Sequence, residues 1–264
     1  MNNPLRNLFN VIVIVLALTV AFLFYHFVMG NPANFKDGER RREPVPGNIL
    51  GTAYTGGPLV AVLIALSLIS ITFVIERWLS LQKARGKGSP EQFLTEFQKL
   101  LEAGKVEEAI ALCQRQGGSL ANVLLAGLQR YQQVAQDSSL DAERKLAEVQ
   151  RAIDEAINLE TPLLEKNLVI LSTIASISTL VGLLGTTIGM IRAFMALGLT
   201  GAVSAQQLSI GIAEALYNTA GGLFTAIISI VAYNFFTTKV DNFVYTIDEA
   251  TLSMMETLTV QVKQ

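Results

Sequence analysis

The chain has 264 residues, of which 51% are hydrophobic and only 16% are charged, and its mean hydropathy is +0.43. This composition excludes an ordinary soluble domain, in which about a quarter of the residues are charged. The formal net charge of −2 excludes the basic surface of a nucleic-acid binding protein. A single cysteine, Cys113, and a single histidine, His26, exclude an internal disulfide and a His/Cys metal site, so we expect no metal and no other cofactor.

Four apolar runs are candidates to cross a bilayer, which takes about 20 helical residues. They predict transmembrane segments over residues 1–30, 58–78, 168–197 and 208–237. The second segment ends at Trp78, an indole expected at the membrane surface. The first run is either an uncleaved anchor or a cleaved signal peptide. Its long apolar core and poor cleavage site favour the anchor.

Lysine and arginine near the ends of the spans predict the orientation of the chain. Positive charges follow the second span, precede the third and follow the fourth, whereas the loop between the last two spans has none. We therefore expect residues 79–167 and the tail 238–264 in the cytoplasm, and residues 31–57 and 198–207 in the periplasm. Arg40–Arg42 lies on the periplasmic side against this rule, but the opposite orientation places more positive charge outside.

Residues 79–167 are predicted to form a small cytoplasmic helical domain. Ser89 and Pro90 begin a first helix that Gly104 ends, and the pair Gly117–Gly118 separates a second helix from a third. Cys113 lies on the inward face of the second helix. We interpret it as a small buried apolar residue and not as a nucleophile.

Two helices are predicted to extend well beyond the membrane. Apolar residues recur at helical spacing from Leu140 to Leu164, which predicts one helix that is kinked at Pro162 and continues into the third span. The tail extends the fourth span in the same way. One copy cannot bury these faces, so we expect an all-α polytopic membrane protein with a small cytoplasmic helical bundle that forms homo-oligomers.

The third span contains the unusual stretch VGLLGTTIGM, in which small and hydroxyl residues share one helical stripe with Thr179. Glycines allow helices to approach closely in lipid, which is the role we assign to Gly182, Gly185 and Gly189. A hydroxyl such as that of Thr186 either bonds its own helix backbone or lines a polar path.

The fourth span contains a carboxylate, Glu214, with no basic residue in the same helix. A charged group in a span is costly, so Glu214 is expected to face a protein interior or a water path. Asn218 lies one turn further on, flanked by Thr219 and Thr225. Glu214 is either a neutral structural group or part of an ion path, and we favour the ion path. For Arg192 in the third span we favour snorkelling to the membrane surface over pairing with Glu214.

Two motifs carry a resemblance to a known family. They are VGLLGTTIGMIRAF at 181–194 and GIAEALYNTAGGL at 211–223. In this order and spacing they resemble the MotA/TolQ/ExbB family of ion-channel subunits, most closely its ExbB members. The resemblance implies a bacterial inner-membrane protein that is not an enzyme. It implies a pentameric ring around two single-span partners of the ExbD or TolR type, which uses proton flow to drive a TonB-like protein.

The resemblance also implies which residues form the ion path. The pore hydroxyl after GLLG is Thr186, the carboxylate of GIAEAL is Glu214, and the hydroxyl that follows is Thr219; Asn218 and Thr179 complete the predicted path. Two departures concern that path, because many members have Ala-Pro at Ser178-Thr179 and a small apolar residue at Asn218. A TolQ-like or gliding-motility motor and a passive scaffold with a structural Glu214 are the alternatives. The sequence leaves protons and sodium both open as the ion.

Overall fold

The computed structural model describes residues 4–38, 43–137, 139–200 and 205–262. Within these ranges the regular elements are helices, and the β pairing is one isolated antiparallel bridge between Phe35 and Pro44. The predicted all-α class is therefore confirmed. The arginine run Arg40–Arg42 and the centre of the predicted loop 198–207 lie outside the described residues.

Nine α-helices follow one another along the described chain. Their bounds are α1 Pro4–Leu23, α2 Ile49–Tyr54, α3 Leu59–Ala84, α4 Pro90–Glu102, α5 Val106–Gln116, α6 Gly118–Ala135, α7 Ala142–Glu165, α8 Leu168–Thr200 and α9 Ala205–Val262. Helix α1 continues as a π-helical turn over Phe24–Met29. As predicted, α9 extends the fourth span without a break to 58 residues.

Four helical stretches among the described residues are long and apolar enough to cross a membrane. They lie within Asn10–Met29, Leu59–Ala84, Ala142–Met195 and Leu208–Gln261. Large apolar side chains on them point outward, such as Phe27 on α1 and Phe224 on α9. Faces of this kind need lipid or another protein chain against them. The prediction of a polytopic membrane protein is confirmed.

The chain divides into two compact units. The first comprises the described residues of Met1–Ile75 and Val169–Asn234, and the second comprises Glu76–Leu168 and the described residues of Phe235–Gln264.

In the first unit, the described part of residues 31–57, here called the interspan segment, folds against the ends of the neighbouring helices. Tyr54 stacks on Tyr25 with 4.5 Å between ring centroids, and Phe35 meets Tyr54 edge-on. The amide of Asn34 donates to the carbonyl of Val28 and accepts from Asn48. These contacts give the segment a small core of its own.

In the second unit, the start of α4 and the breaks between α4, α5 and α6 lie where the sequence predicts. Pro90 is the first residue of α4, and Gly104 follows the helix with φ +70°. Gly118, at φ +83°, opens α6, and a Cβ there would lie 2.4 Å from the carbonyl oxygen of Ala84. Cys113 is buried on α5, in agreement with the predicted apolar role.

The predicted single helix that runs from Leu140 into the third span is interrupted, so this part of the prediction is wrong. Helix α7 continues through Pro162 to Glu165, and the break comes at the next two residues, where Asn167 takes φ +63°. A proline removes one backbone hydrogen bond and does not always end a helix, whereas asparagine tolerates the left-handed conformation. The Asn167 side chain donates to Glu76 Oε2 at 3.2 Å, and this bond favours the turn at that residue.

The start of the second unit contains a charged pair, with a buried arginine and a partly buried glutamate, that the sequence did not indicate. Arg77 is only 2% exposed and binds the carboxylate of Glu76 through Nε and Nη2, at 2.6 and 2.5 Å. Its Nη1 donates to the carbonyl of Leu164 at 3.4 Å, and Ser80 donates to Glu76 Oε1. The two neighbouring charges therefore connect α3 to the end of α7.

Candidate functional site

Helices α8 and α9 of the first unit approach each other closely because their facing positions are small. The glycines predicted to pack helices all face α9 of the same chain: Gly182, Gly185 and Gly189. A Cβ on Gly185 would lie 2.3 Å from the Cβ of Asn218, and one on Gly189 would lie 2.8 Å from the backbone nitrogen of Ala215. The stretch VGLLGTTIGM therefore brings two backbones within one chain together.

This close approach joins two of the predicted site residues. Thr186 Oγ1 on α8 and Thr219 Oγ1 on α9 are 2.5 Å apart, a hydrogen bond in which either hydroxyl is able to donate. Both hydroxyls also lie within bonding distance of the carbonyl of Gly182, at 3.2 and 3.3 Å. The adjacent Thr187 is exposed, and its hydroxyl donates to the carbonyl of Leu184.

The carboxylate of Glu214 is buried, and the guanidinium of Arg192 pairs with it from α8. Our preference for a snorkelling Arg192 is therefore wrong. A carboxylate in a dry site is costly unless it is paired, and the long arginine side chain reaches it from a half-exposed position. The two residues are 22 positions apart, and the sequence alone could not decide for the pair, because it depends on the register of α8 against α9.

The interspan segment lies directly against this ion pair. Gly57 has φ +77°, and a Cβ there would lie 2.7 Å from Glu214 Oε1 and 3.4 Å from Arg192 Nη1. Only glycine combines this backbone conformation with such close approach. The sequence did not indicate this contact, because a Gly-Gly pair is too common a signal to mark a site.

Asn218 links the interspan segment to α9. It is fully buried, and its Nδ2 donates to the carbonyl of Gly56 at 2.7 Å and to the carbonyl of Glu214 at 3.0 Å. Within the described part of the chain, its Oδ1 is buried without a hydrogen-bond partner. Asn218 therefore holds the turn before α3 in place beside Glu214.

Other hydroxyls of this region connect α9 to α3. Thr225 and Ser67 bond at 2.6 Å, and Ser229 and Ser70 bond at 2.8 Å. Thr179 behaves differently, since its hydroxyl donates to the carbonyl of Ala175 in its own helix. The predicted polar stripe thus divides into a carboxylate cluster, a threonine pair and a set of bonds between helices.

The sequence model of the MotA/TolQ/ExbB proton channel family matches residues 116–249, which include all of α8 and the site residues of α9. The chain belongs to this family. Membership, together with the membrane-capable helices, makes it a multi-pass protein of the bacterial inner membrane. The interspan segment precedes the part of the chain that the family model matches.

Relatives in the family carry two kinds of name. The chain is 32% identical to the Tol-Pal system protein TolQ of Haemophilus influenzae, over 67% of this chain and 76% of the relative. It is 30% identical to the putative biopolymer transport protein ExbB-like 3 of Synechocystis, over 69% of this chain and 81% of the relative. It is 44% identical to the biopolymer transport protein ExbB of Aquifex aeolicus, over 29% of this chain and 52% of the relative.

Proposed function

We propose that this chain is the ion-conducting subunit of an inner-membrane motor that converts proton motive force into mechanical work. The observation that carries the proposal is the Thr186–Thr219 hydroxyl pair in the same helix pair as the buried Glu214. Paired hydroxyls both donate and accept, so with water they form a relay for protons. A buried carboxylate in a span is a functional group by default.

Arg192 gives the carboxylate a defined resting state. In the proposed cycle, an arriving proton competes with the guanidinium of Arg192 for the carboxylate oxygens of Glu214. Protonation of Glu214 releases Arg192, and loss of the proton restores the pair. Glu214 thereby changes partner with each ion that passes, and Asn218 holds the surrounding backbone in place.

The surface between α8 and α9 offers a binding site for the membrane span of a single-span partner. A groove of about 490 Å³ lies between the helices. Most of the side chains that line it are apolar, and Ser176 and Thr179 add two hydroxyl groups. In the proposed pentameric ring, this groove and the Thr186–Thr219 pair face two partner spans of the ExbD or TolR type. The partner then supplies the carboxylic acid that exchanges protons with the ring.

The proposed orientation places residues 79–167 and 238–264 in the cytoplasm and residues 31–57 and 198–207 in the periplasm. Single cysteines in a Cys113→Ala background test it with a membrane-impermeant maleimide on intact cells. Lys36→Cys should react and Lys105→Cys should not, and both native side chains are about half exposed. Labelling of Lys105→Cys but not of Lys36→Cys would show that the orientation is the opposite of the one proposed.

Two versions of the motor have support. The first is an ExbB-type subunit that drives a TonB-like protein for transport across the outer membrane, in line with the high local identity to ExbB of Aquifex aeolicus. The second is a TolQ-type subunit, favoured by the match to TolQ over two thirds of the chain. Co-expression with ExbD-type and TolR-type partners separates them, because only the correct partner should co-purify and restore function in a strain that lacks both systems.

Proton flux into liposomes that contain the purified complex tests the channel role. Thr186→Val should lower flux by about tenfold or more, which corresponds to about 1.4 kcal/mol of barrier. Thr187→Val is the matched control, because its hydroxyl is exposed and lies outside the pair. Wild-type complex with no flux above empty liposomes would instead favour a passive scaffold.

A further inference from the structure

The second unit contains a cavity of about 470 Å³ with two cationic side chains in its wall, Arg85 and Lys239. Among the described residues that line it, none is acidic. Polar groups of Gln82, Asn242 and Thr246 share the wall with apolar side chains that include Leu81 and Phe243. The cavity thus combines positive charge, hydrogen-bonding groups and an apolar surface.

Two residues of the cavity wall, Trp78 and Lys239, follow apolar stretches of α3 and α9, and Phe235 lies next to both of them. Trp78 and Phe235 stack at 6.4 Å between centroids, and both are about half exposed. The Lys239 ammonium lies 5.1 Å from the centroid of Trp78 and 4.9 Å from that of Phe235. An indole and a lysine that follow the apolar part of a transmembrane helix are typical of the headgroup layer of a membrane.

We propose that this cavity binds the headgroup of an anionic phospholipid, with Arg85 and Lys239 on the phosphate and the apolar wall against the first part of the acyl chains. Charge selects the ligand, because two cations in a wall whose described lining residues include no acid attract a net negative headgroup. A choline headgroup fits poorly. Its ammonium needs open aromatic faces, and Lys239 occupies those of Trp78 and Phe235.

The apolar part of the wall argues for a lipid and against a soluble phosphate. Leu81 and Phe243 would face water or a hydrated anion if only phosphate were bound. An acyl chain covers them and removes their surface from water. In the proposed orientation the bound lipid belongs to the cytoplasmic leaflet. Only this choice of leaflet rests on the proposed function.

Native mass spectrometry of the delipidated full-length protein in a neutral detergent tests the site. We expect retained adducts with short-chain phosphatidylglycerol and at least about tenfold weaker binding of phosphatidylcholine. Arg85→Gln combined with Lys239→Gln should lose the adduct. Lys105→Gln combined with Arg115→Gln is the control, because it removes the same charge from exposed positions of the same unit outside the cavity.

Charge-preserving variants guard against a folding effect. Arg85→Lys and Lys239→Arg should retain phosphatidylglycerol, and the thermal unfolding of every variant is compared with that of the wild type. Equal retention of both lipids, or unchanged binding in the double glutamine variant, would overturn the proposal. So would equally tight binding of glycerol phosphate alone, or a neighbouring copy that fills the cavity and blocks the lipid in the assembled ring. The assay uses neither a partner nor a proton gradient, so its failure leaves the channel proposal standing.

Discussion

The guanidinium of Arg192 on α8 pairs with the carboxylate of Glu214 on α9, inside two helices that cross the membrane. Either charge alone in that position carries a desolvation cost of a few kcal/mol. Together they offset much of it, and the backbone of Gly57 closes against the pair. The charge at the centre of the proposed ion path is therefore a coupled pair and not an isolated acid.

A double-mutant cycle measures this coupling. Arg192→Gln, Glu214→Gln and the double variant should show an interaction energy of about 1–2 kcal/mol, within the range for residues in direct contact. Arg192 is half exposed, so we expect less than for a fully buried pair. Denaturant unfolding in detergent is the measurement. Additive effects of the two substitutions would mean that the pair does not form.

Gly57→Ala tests the contact of the interspan segment with the ion pair. The new methyl group would meet Glu214 Oε1 in a backbone conformation with φ +77°, so we expect a loss of stability of about 1–3 kcal/mol and lower proton flux. Gly104→Ala is the control, because its φ is +70° but nothing lies within 4 Å of the added Cβ. It carries the backbone strain alone, so its flux should match the wild type. Equal proton flux in both variants would mean that the contact of the interspan segment with the ion pair does not affect the ion path.

Gly185→Ala tests the packing of α8 against α9. A Cβ there would lie 2.3 Å from the Cβ of Asn218, so the helices must separate, at a cost of about 1–3 kcal/mol. At Gly221 the added Cβ would meet only the end of the Leu63 side chain at 3.4 Å. Gly221→Ala should therefore be neutral or slightly stabilising, because alanine favours the helix. A thermal unfolding series in detergent compares the two, and equal effects would contradict the close approach.

Cys113 provides a pH-dependent prediction. Burial raises the pKa of its thiol to about 12, whereas a cysteine in an unfolded chain titrates near about 8.5. The folded state favours the neutral thiol, so this contribution to stability is complete below about pH 8.5 and is lost as the pH rises toward 12. Between pH 9 and 11 we expect unfolding temperature to fall more steeply for the wild type than for Cys113→Ala. Rapid alkylation of the folded wild type at pH 8 would contradict burial.

The sequence predicts local features of this fold well. Pro90, Gly104 and Gly118 mark the ends of helices where the structure has them, because capping and turn chemistry act over a few residues. The break at Asn167 was not predicted, because it depends in part on a side-chain bond to Glu76, 91 residues away. A proline close by gave a stronger local signal than the asparagine did.

The candidate site was only partly predictable for the same reason. The motifs indicated Thr186, Thr219 and Glu214 as individual residues, since hydroxyls and a carboxylate are unusual in apolar spans. Of the partners of Glu214, Arg192 was only the less favoured alternative, and Gly57 was not indicated. Arg192 reaches it through the register of two helices, and Gly57 reaches it from a segment more than 150 residues away. Long-range contacts of this kind are set by packing and not by local pattern.

Proton flux through Glu214→Gln tests the central claim most directly. The variant is reconstituted into liposomes together with its single-span partner. Glu249→Gln, an exposed position on the same helix, is reconstituted separately in the same way as the control. Size-exclusion chromatography first verifies that both assemble. We predict that Glu214→Gln lowers flux by about tenfold or more while Glu249→Gln matches the wild type. An assembled Glu214→Gln complex with wild-type flux would contradict the role of the carboxylate in the ion path.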